Sequence, residues 1–200
     1  MKLLRLMFLL IFLFPVGCND DDCGSDVPRY LDVTKLTGRS VQLLTDNYHD
    51  VDSLAAQARV SFEQYALQLF PTVEFTNQRA EVTGRWGSAA YACDPVPPQP
   101  FESVVDIAVF SNAAYQQASS DVIAAGERLN SIVKIYDYYR DRIVGLPDFL
   151  MDRQFASDFG FLLQFTTAPA QATTHAFTVR YVLDNGERYE FNAPPVTITP

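Results

Sequence analysis

Residues 135–142, Ile-Tyr-Asp-Tyr-Tyr-Arg-Asp-Arg, hold the densest set of side chains suited to contacting a ligand. Tyr136, Tyr138 and Tyr139 each offer an apolar face and a polar tip, which suits stacking on a sugar ring or contact with a protein. The same spacing also serves a segment that packs its tyrosines, half-buried, on the body of a fold. Trp86, flanked by Gly84-Arg85 and Gly87, is the second binding candidate on the same grounds.

Catalytic chemistry has weaker support. Hydrolysis of a glycosidic bond needs two carboxyl groups roughly 5–10 Å apart across a cleft. Asp137, Asp141, Asp148, Asp152 and Asp158 supply carboxyl groups in one region, but their spacing reads more simply as a solvated face. His49 and His175 are the only side chains that titrate near neutrality without perturbation. His49 lies in Asn47-Tyr48-His49-Asp50, where a histidine–carboxylate pair could form, and His175 opens a strand pattern. Both read as surface or strand-end residues rather than general bases. There is no Gly-x-Ser-x-Gly elbow, phosphate loop or His-Glu-x-x-His pair. No catalytic residue and no cofactor is therefore expected. Nor is a metal site: the two histidines and the cysteines lack ligand spacing, and the acidic stretches lack the calcium-loop pattern.

The three cysteines carry more definite chemistry. Lys2 and Arg5 precede an uninterrupted apolar run, Leu6 to Phe14, and small Gly17 stands directly before Cys18. This is the three-part layout of a secretory signal. As a helix the run to Gly17 reaches only about 18 Å, short of a hydrocarbon core of about 30 Å. Val16-Gly17-Cys18 resembles the lipobox of bacterial lipoproteins, with Pro15 where that pattern usually has leucine. The resemblance implies cleavage after residue 17 and acylation of Cys18. Several acyl chains on one residue anchor stably, since each buried methylene adds about 0.8 kcal/mol. Asn19-Asp20-Asp21-Asp22 reads as a solvated tether. It also resembles the acidic export signal that follows the lipidated cysteine in surface lipoproteins of the Bacteroidota, which implies an outer-membrane lipoprotein displayed on the cell surface; attachment facing the periplasm is the alternative.

With Cys18 assigned to lipid, Cys23 and Cys93 remain in an oxidising compartment and are expected to pair. Such a bridge would close a loop of about seventy residues, a constraint of roughly 4 kcal/mol in the chain-entropy treatment. The chain is acidic, with a net charge of −9. Losing residues 1–17 removes Lys2 and Arg5, so that 24 acidic residues face 13 basic ones and the charge falls to −11. Without basic clusters it is not a nucleic-acid binder, since neutralising phosphates with Lys and Arg supplies that affinity.

The elements that must position these residues are mostly strands. Tyr30 to Leu36 and Val41 to Leu44 read as strands separated by Thr37-Gly38. His49 to Ala58 is a short helix or a loop. Val60 to Phe70 reads as a strand with one irregularity, stopped by Pro71. Ser88 to Cys93 is a further strand. Four prolines between Pro95 and Pro100 make residues 94–100 a crossover or a domain boundary. Val105, Ile107 and Val109 alternate with Asp106, Ala108 and Phe110; Phe159, Phe161, Leu163 and Phe165 form another stripe. Phe177, Val179, Tyr181 and Leu183 share a face, and Asp184-Asn185-Gly186 then turns the chain into a returning strand through Tyr189 and Phe191. Val196 and Ile198 mark a last strand. Between residues 111 and 158 the period changes: Ala113 to Ala125 is helix or loose loop, Leu129, Ile132 and Val133 fit one or two helical turns, and Leu146 to Met151 is a short helix started near Pro147. The fold expected is an all-β, immunoglobulin-like β-sandwich with a short, partly helical insertion. Its domains are a signal at 1–17, an acidic tether at 18–28 and one ectodomain at 29–200.

Ala90-Tyr91-Ala92-Cys93-Asp94-Pro95, the prolines and alternating strand after it, Leu146-Pro147-Asp148-Phe149-Leu150 and the hairpin at Asp184-Asn185-Gly186 together resemble uncharacterised lipoproteins of the Bacteroidota. That family is a domain of unknown function, so the resemblance implies an address and a fold class and carries no catalytic residue. The function expected is that of a lipid-anchored envelope lipoprotein, a non-enzymatic binding or structural module. Its partners are the membrane, through the anchor, and a glycan or protein ligand. The alternatives are a glycan-acting hydrolase and a subunit of an envelope assembly.

Overall fold

The structure, a computed structural model, describes residues 29–45, 47–77, 99–100, 102–151, 154–155 and 160–200. Cys18, Cys23, Cys93, Trp86, the tether, the Ser88 to Cys93 strand, most of the proline run, Asp152, Asp158 and Phe159 lie outside the described residues.

Two antiparallel sheets face each other. In the larger, the strands run in the order β10 (Arg142–Gly145), β9 (Val133–Asp137), β12 (Phe161–Phe165), β4 (Tyr65–Asn77), β1 (Arg29–Leu43), β2 (Val51–Ser53), and the short β5 (Gln99–Pro100) pairs with β1 in parallel. The second runs β11 (Gln154–Phe155), β6 (Ser103–Ser111), β14 (Phe177–Leu183), β15 (Arg188–Asn192). A small third sheet sets β16 (Val196–Thr199) between β13 (Thr173–His175) and β3 (Arg59–Ser61). β7 (Tyr115–Gln116) and β8 (Val122–Ile123) form a two-stranded ladder.

Alternation along the strands makes the core. Tyr65, Leu67 and Leu69 of β4 and Phe161, Leu163 and Phe165 of β12 meet Ile107 and Val109 of β6 and Phe177, Val179, Tyr181 and Leu183 of β14 in one buried cluster. The all-β sandwich expected from the sequence pattern is the architecture observed. The turn at Asp184-Asn185-Gly186 joins β14 to β15 as expected, with Gly186 at φ 91°. Leu146–Met151 is the short helix expected there, α1.

Several expectations need correcting. β1 is one continuous strand rather than two, and Gly38 is no break: it pairs with Leu69 where β4 runs closest. A bulge between Val33 and Lys35 inserts one residue, so that Val33 and Leu36 both reach the core. Pro71 does not stop its strand, because β4 continues to Asn77 opposite β1. β12 pairs with β4 only from Ala66 to Leu69, so Pro71 stands where no described strand needs its missing N–H. The irregularity before it is a full turn separating β3 from β4. In β6, Val105 faces outward at 51% exposure and Val104 takes the core position, because the register slips between Val182 and Leu183. Residues 49–58 hold β2 rather than a helix, and Ala113 to Ala125 is loop around the β7–β8 ladder. The partly helical insertion expected between residues 111 and 158 holds strands as well: β9 and β10 belong to the larger sheet, and one 3₁₀ turn, Asn130–Ile132, joins α1 as its helical part.

Candidate functional site

Strand alternation in β9 decides which tyrosines come together. Lys134 and Tyr136 point away from the core, Val133 and Ile135 into it, and Tyr138 continues the outward row. Next to them on the outer face lie Leu162 of β12, Ala66 of β4, and Val41 and Leu43 of β1, a second small apolar cluster. The loop after β1 folds across this face and brings Tyr48 and His49 onto it. Tyr48 stacks on Tyr136 at 4.7 Å between centroids and an 18° interplanar angle. Tyr136 and Tyr138 meet edge to face at 5.0 Å. His49 touches both, at 5.7 Å and 5.2 Å.

The polar tips of this layer are tied in series. Arg39 Nε donates to Gln68 Oε1 at 2.8 Å, Gln68 Nε2 donates to the Tyr138 hydroxyl at 3.0 Å, and that hydroxyl donates to the Tyr48 carbonyl at 3.0 Å. β1, the loop after it, β4 and the end of β9 are thereby held in one arrangement.

Tyr136 is 5% exposed and donates its hydroxyl proton to Asp141 Oδ1. The His49 Nε2 lies 3.0 Å from the Tyr136 hydroxyl oxygen. A phenol has one proton to give, so His49 must be the donor there and carry its proton on Nε2. The hydrogen bond to Asp141, followed by burial, pushes Tyr136 up to about 12. It is a neutral phenol at physiological pH, unsuited to act as a base. Burial also raises Tyr138. Tyr139, by contrast, is 66% exposed at the tip of the β9–β10 turn.

The acids of this region have local structural roles. Asp137 Oδ1 accepts from the Tyr139 and Arg140 backbone N–H groups at 3.0 and 3.4 Å and so shapes the turn. Asp141 adopts φ 47°, a left-handed position that aspartate tolerates, and from there receives Tyr136. Asp148 lies on α1 close to Gly145. The imidazole Nε2 of His49 addresses a tyrosine and not Asp50, a pairing across 87 residues that no local spacing foretells.

His175 ends β13, a strand-end position as expected, but it is fully buried rather than at the surface, stacked on Phe177 at 5.4 Å, with Nδ1 2.9 Å from Ser111 Oγ and, among the described residues, no hydrogen-bond partner for Nε2. Burial depresses its pKa from 6.5 to about 4. The neutral form is thus the native one. The stability this contributes is full above pH 6.5 and is lost as pH falls from 6.5 towards 4, by as much as about 3 kcal/mol. Glu102, raised by its burial, acts in the opposite sense, so the informative quantity is a difference. His175→Phe is expected to flatten the acid limb of a stability–pH curve measured by urea melts at pH 7.5 and pH 4.5. Ser111 Oγ still accepts from the Ala113 N–H at 3.1 Å in that variant. An unchanged acid limb would show that another group sets it.

One acidic cluster was not anticipated. Carboxylate oxygens of Asp32, Glu102 and Glu187 lie within 4.8 Å of one another. Glu102, 2% exposed, accepts from the Val33 N–H and from the Asn185 side chain, and Tyr189 donates to Glu187 at 2.6 Å. Burial, with the nearby acids, raises the Glu102 pKa, and both of its oxygens are engaged by protein donors, so it serves as a polar tie between β1 and the β14–β15 hairpin.

Beside the tyrosine layer runs a groove of about 580 Å³, lined by Tyr48, Glu63, Gln64, Lys134, Gln164 and Thr166 among others. Of these residues none stood out in the sequence, except that Tyr48 adjoins His49. Period-2 alternation from the core positions Leu163 and Phe165 would have set Gln164 on the outer face, the one available signal.

No family model matches the chain, and no curated protein matches it. Among solved structures it is similar to the C-terminal domain of the Streptococcus agalactiae AgI/II polypeptide BspA, at 14% identity over 84% of this chain and 51% of that one, with a TM-score of 0.31. It is also similar to the C-terminal domain of the Streptococcus pyogenes antigen I/II-family protein AspA, at 10% identity over 84% and 47%, with a TM-score of 0.28. The chain spans about half the length of these structures. Likeness at this distance transfers no ligand and no activity.

Proposed function

We propose that the chain is a non-enzymatic binding module of the cell envelope, anchored by lipid on Cys18 and contacting its ligand through the outer face of the larger sheet. The observation that carries the contact surface is the tyrosine layer: Tyr48, Tyr136 and Tyr138 with His49, fixed by the series of hydrogen bonds from Arg39 to the Tyr48 carbonyl, with Tyr139 standing exposed at its rim. Tyr136 is the buried support of this layer, and the partly exposed rings of Tyr48 and Tyr138 over and beside it offer contact area at little entropic cost. The Tyr136 and Tyr138 hydroxyl protons are committed to fixed acceptors and Tyr136 stays protonated, which favours binding over proton transfer. The address rests on the sequence: the signal-like segment, Val16-Gly17-Cys18 and the acidic run Asn19 to Asp22, of the kind in the Bacteroidota lipoproteins that the chain resembles. In keeping with attachment through lipid, no helix among the described residues is long and apolar enough to cross a membrane.

The test uses intact cells expressing the full chain, offered labelled polysaccharides and a panel of serum and matrix proteins. Saturable capture is expected, weakened at least about fivefold by Tyr139→Ala, since an exposed aromatic anchor is commonly worth more than about 1 kcal/mol. Cys18→Ala should move the chain from the cells to the medium or the periplasm and abolish cell-associated capture. Capture unaltered by Tyr139→Ala and by Tyr48→Ala would remove this face from the account.

A further inference from the structure

We propose that the groove beside the tyrosine layer is a subsite for an uncharged saccharide. This rests on reading the outer face as a ligand-contact surface, and adds the ligand's chemistry and its seat.

The volume of about 580 Å³ lies within the range of roughly 300–1,000 Å³ typical of small-ligand sites. The lining is what selects the ligand. It contains one cation, Lys134, and one carboxylate, Glu63, so its formal charges cancel and neither an anion nor a cation is preferred overall. Among the described residues Lys134 forms no ion pair, and its ammonium lies off the hydroxyl end of Tyr48, 3.4 Å from that oxygen and 5.9 Å from the ring centroid. Gln164 donates its amide N–H to the Glu63 carbonyl, while its Oε1 is buried and accepts no hydrogen bond. An apolar ligand would strip water from Lys134, Glu63 and Gln64 and return nothing, a penalty of about 1–3 kcal/mol for each group left unmet. A chain of hydroxyl groups, each both donor and acceptor, satisfies all of them.

The geometry is prepared for this. Gln64 is held through its backbone carbonyl, which accepts from Leu43 N–H at 2.8 Å, and through its Oε1, which accepts from Gln42 at 3.1 Å. Its amide N–H₂ is therefore oriented and available to donate. Tyr48, braced on one face by Tyr136, presents a half-buried ring at the groove wall against which the apolar side of a pyranose can lie.

Titration calorimetry on the full chain in detergent, with cellohexaose, xylohexaose and mannohexaose and with tetragalacturonate as the charged comparison, tests this. Saturable binding of at least one neutral hexaose is expected, no weaker than that of tetragalacturonate. Gln64→Ala and Lys134→Met should each weaken it about tenfold, the size of one lost hydrogen bond to a charged or well-oriented group, with the thermal midpoint unchanged. Binding of no neutral hexaose, tighter binding of tetragalacturonate, or binding that survives both substitutions would each overturn the saccharide subsite. If the Tyr139-dependent capture by cells persists in those cases, the contact-surface reading stands and only the groove is lost; if that capture is also absent, both fall.

Discussion

Phe177→Ala is expected to destabilise the fold by about 3–5 kcal/mol, the usual cost of deleting a buried phenyl ring and leaving a cavity. Phe177 is buried on β14 in the second sheet, yet its ring centroid lies 5.0 Å from Phe165 and 5.6 Å from Tyr65, both on the first. Phe165 stacks in turn on Tyr65 at 6.0 Å and on Tyr115 at 5.4 Å. The ring thus joins the two sheets through an aromatic stack that cannot close over a void of this size, since its partners are held elsewhere: Tyr115 donates to the Thr167 carbonyl and Tyr65 meets Ser40. A fall in urea midpoint with unchanged slope is the expected signature. A loss below about 1 kcal/mol would mean that the sheets are joined by something other than this stack.

Gly38→Val is expected to cost about 3 kcal/mol or more, through overcrowding rather than a void. A Cβ at residue 38 would stand 2.8 Å from the Gln68 carbonyl oxygen and 3.3 Å from both Leu69 and Phe191. The first of these is backbone of the paired strand and cannot turn aside. Phe191, from β15 of the other sheet, lies over the space that a side chain here would fill. Gly38→Ala should show most of the same loss, because the clash is already present at Cβ. Near-native thermal stability in the alanine variant would contradict the close approach of β1 and β4 at this point.

These two sites mark the boundary of what the sequence could tell. Phe177 was legible: the alternation with Val179, Tyr181 and Leu183 identified the face, and Asp184-Asn185-Gly186 fixed the return of the chain. Gly38 was read as a break and Pro71 as a stop, because both discourage strands in isolation. Their tolerance comes from neighbours remote in sequence, a phenyl ring at residue 191 and the limited span of β12 along β4. Val105 was grouped with Ile107 and Val109 because a period-2 pattern does not reveal a slipped register. The tyrosines at 136, 138 and 139 were singled out as a group, but their division into two packed rings and one exposed ring follows from β9 being a strand within the larger sheet. That Tyr48, His49, Arg39 and Gln68 converge on them is a property of the tertiary structure alone, with partners up to 90 residues apart.

β16 lies in the middle of its small sheet, paired antiparallel with β13 on one side and parallel with β3 on the other. Its bonds to β3 tie together residues as far as 139 apart, with the Thr199 hydroxyl reaching the Val60 carbonyl. Closing so long a loop is entropically costly and comes late, so folding of this chain should be slow and end with the arrival of its last strand. Under the export proposed above, a chain threaded N-terminus first could not complete its small third sheet until residues 196–199 had emerged. Up to that moment β3 and β13 would both lack the strand that joins them.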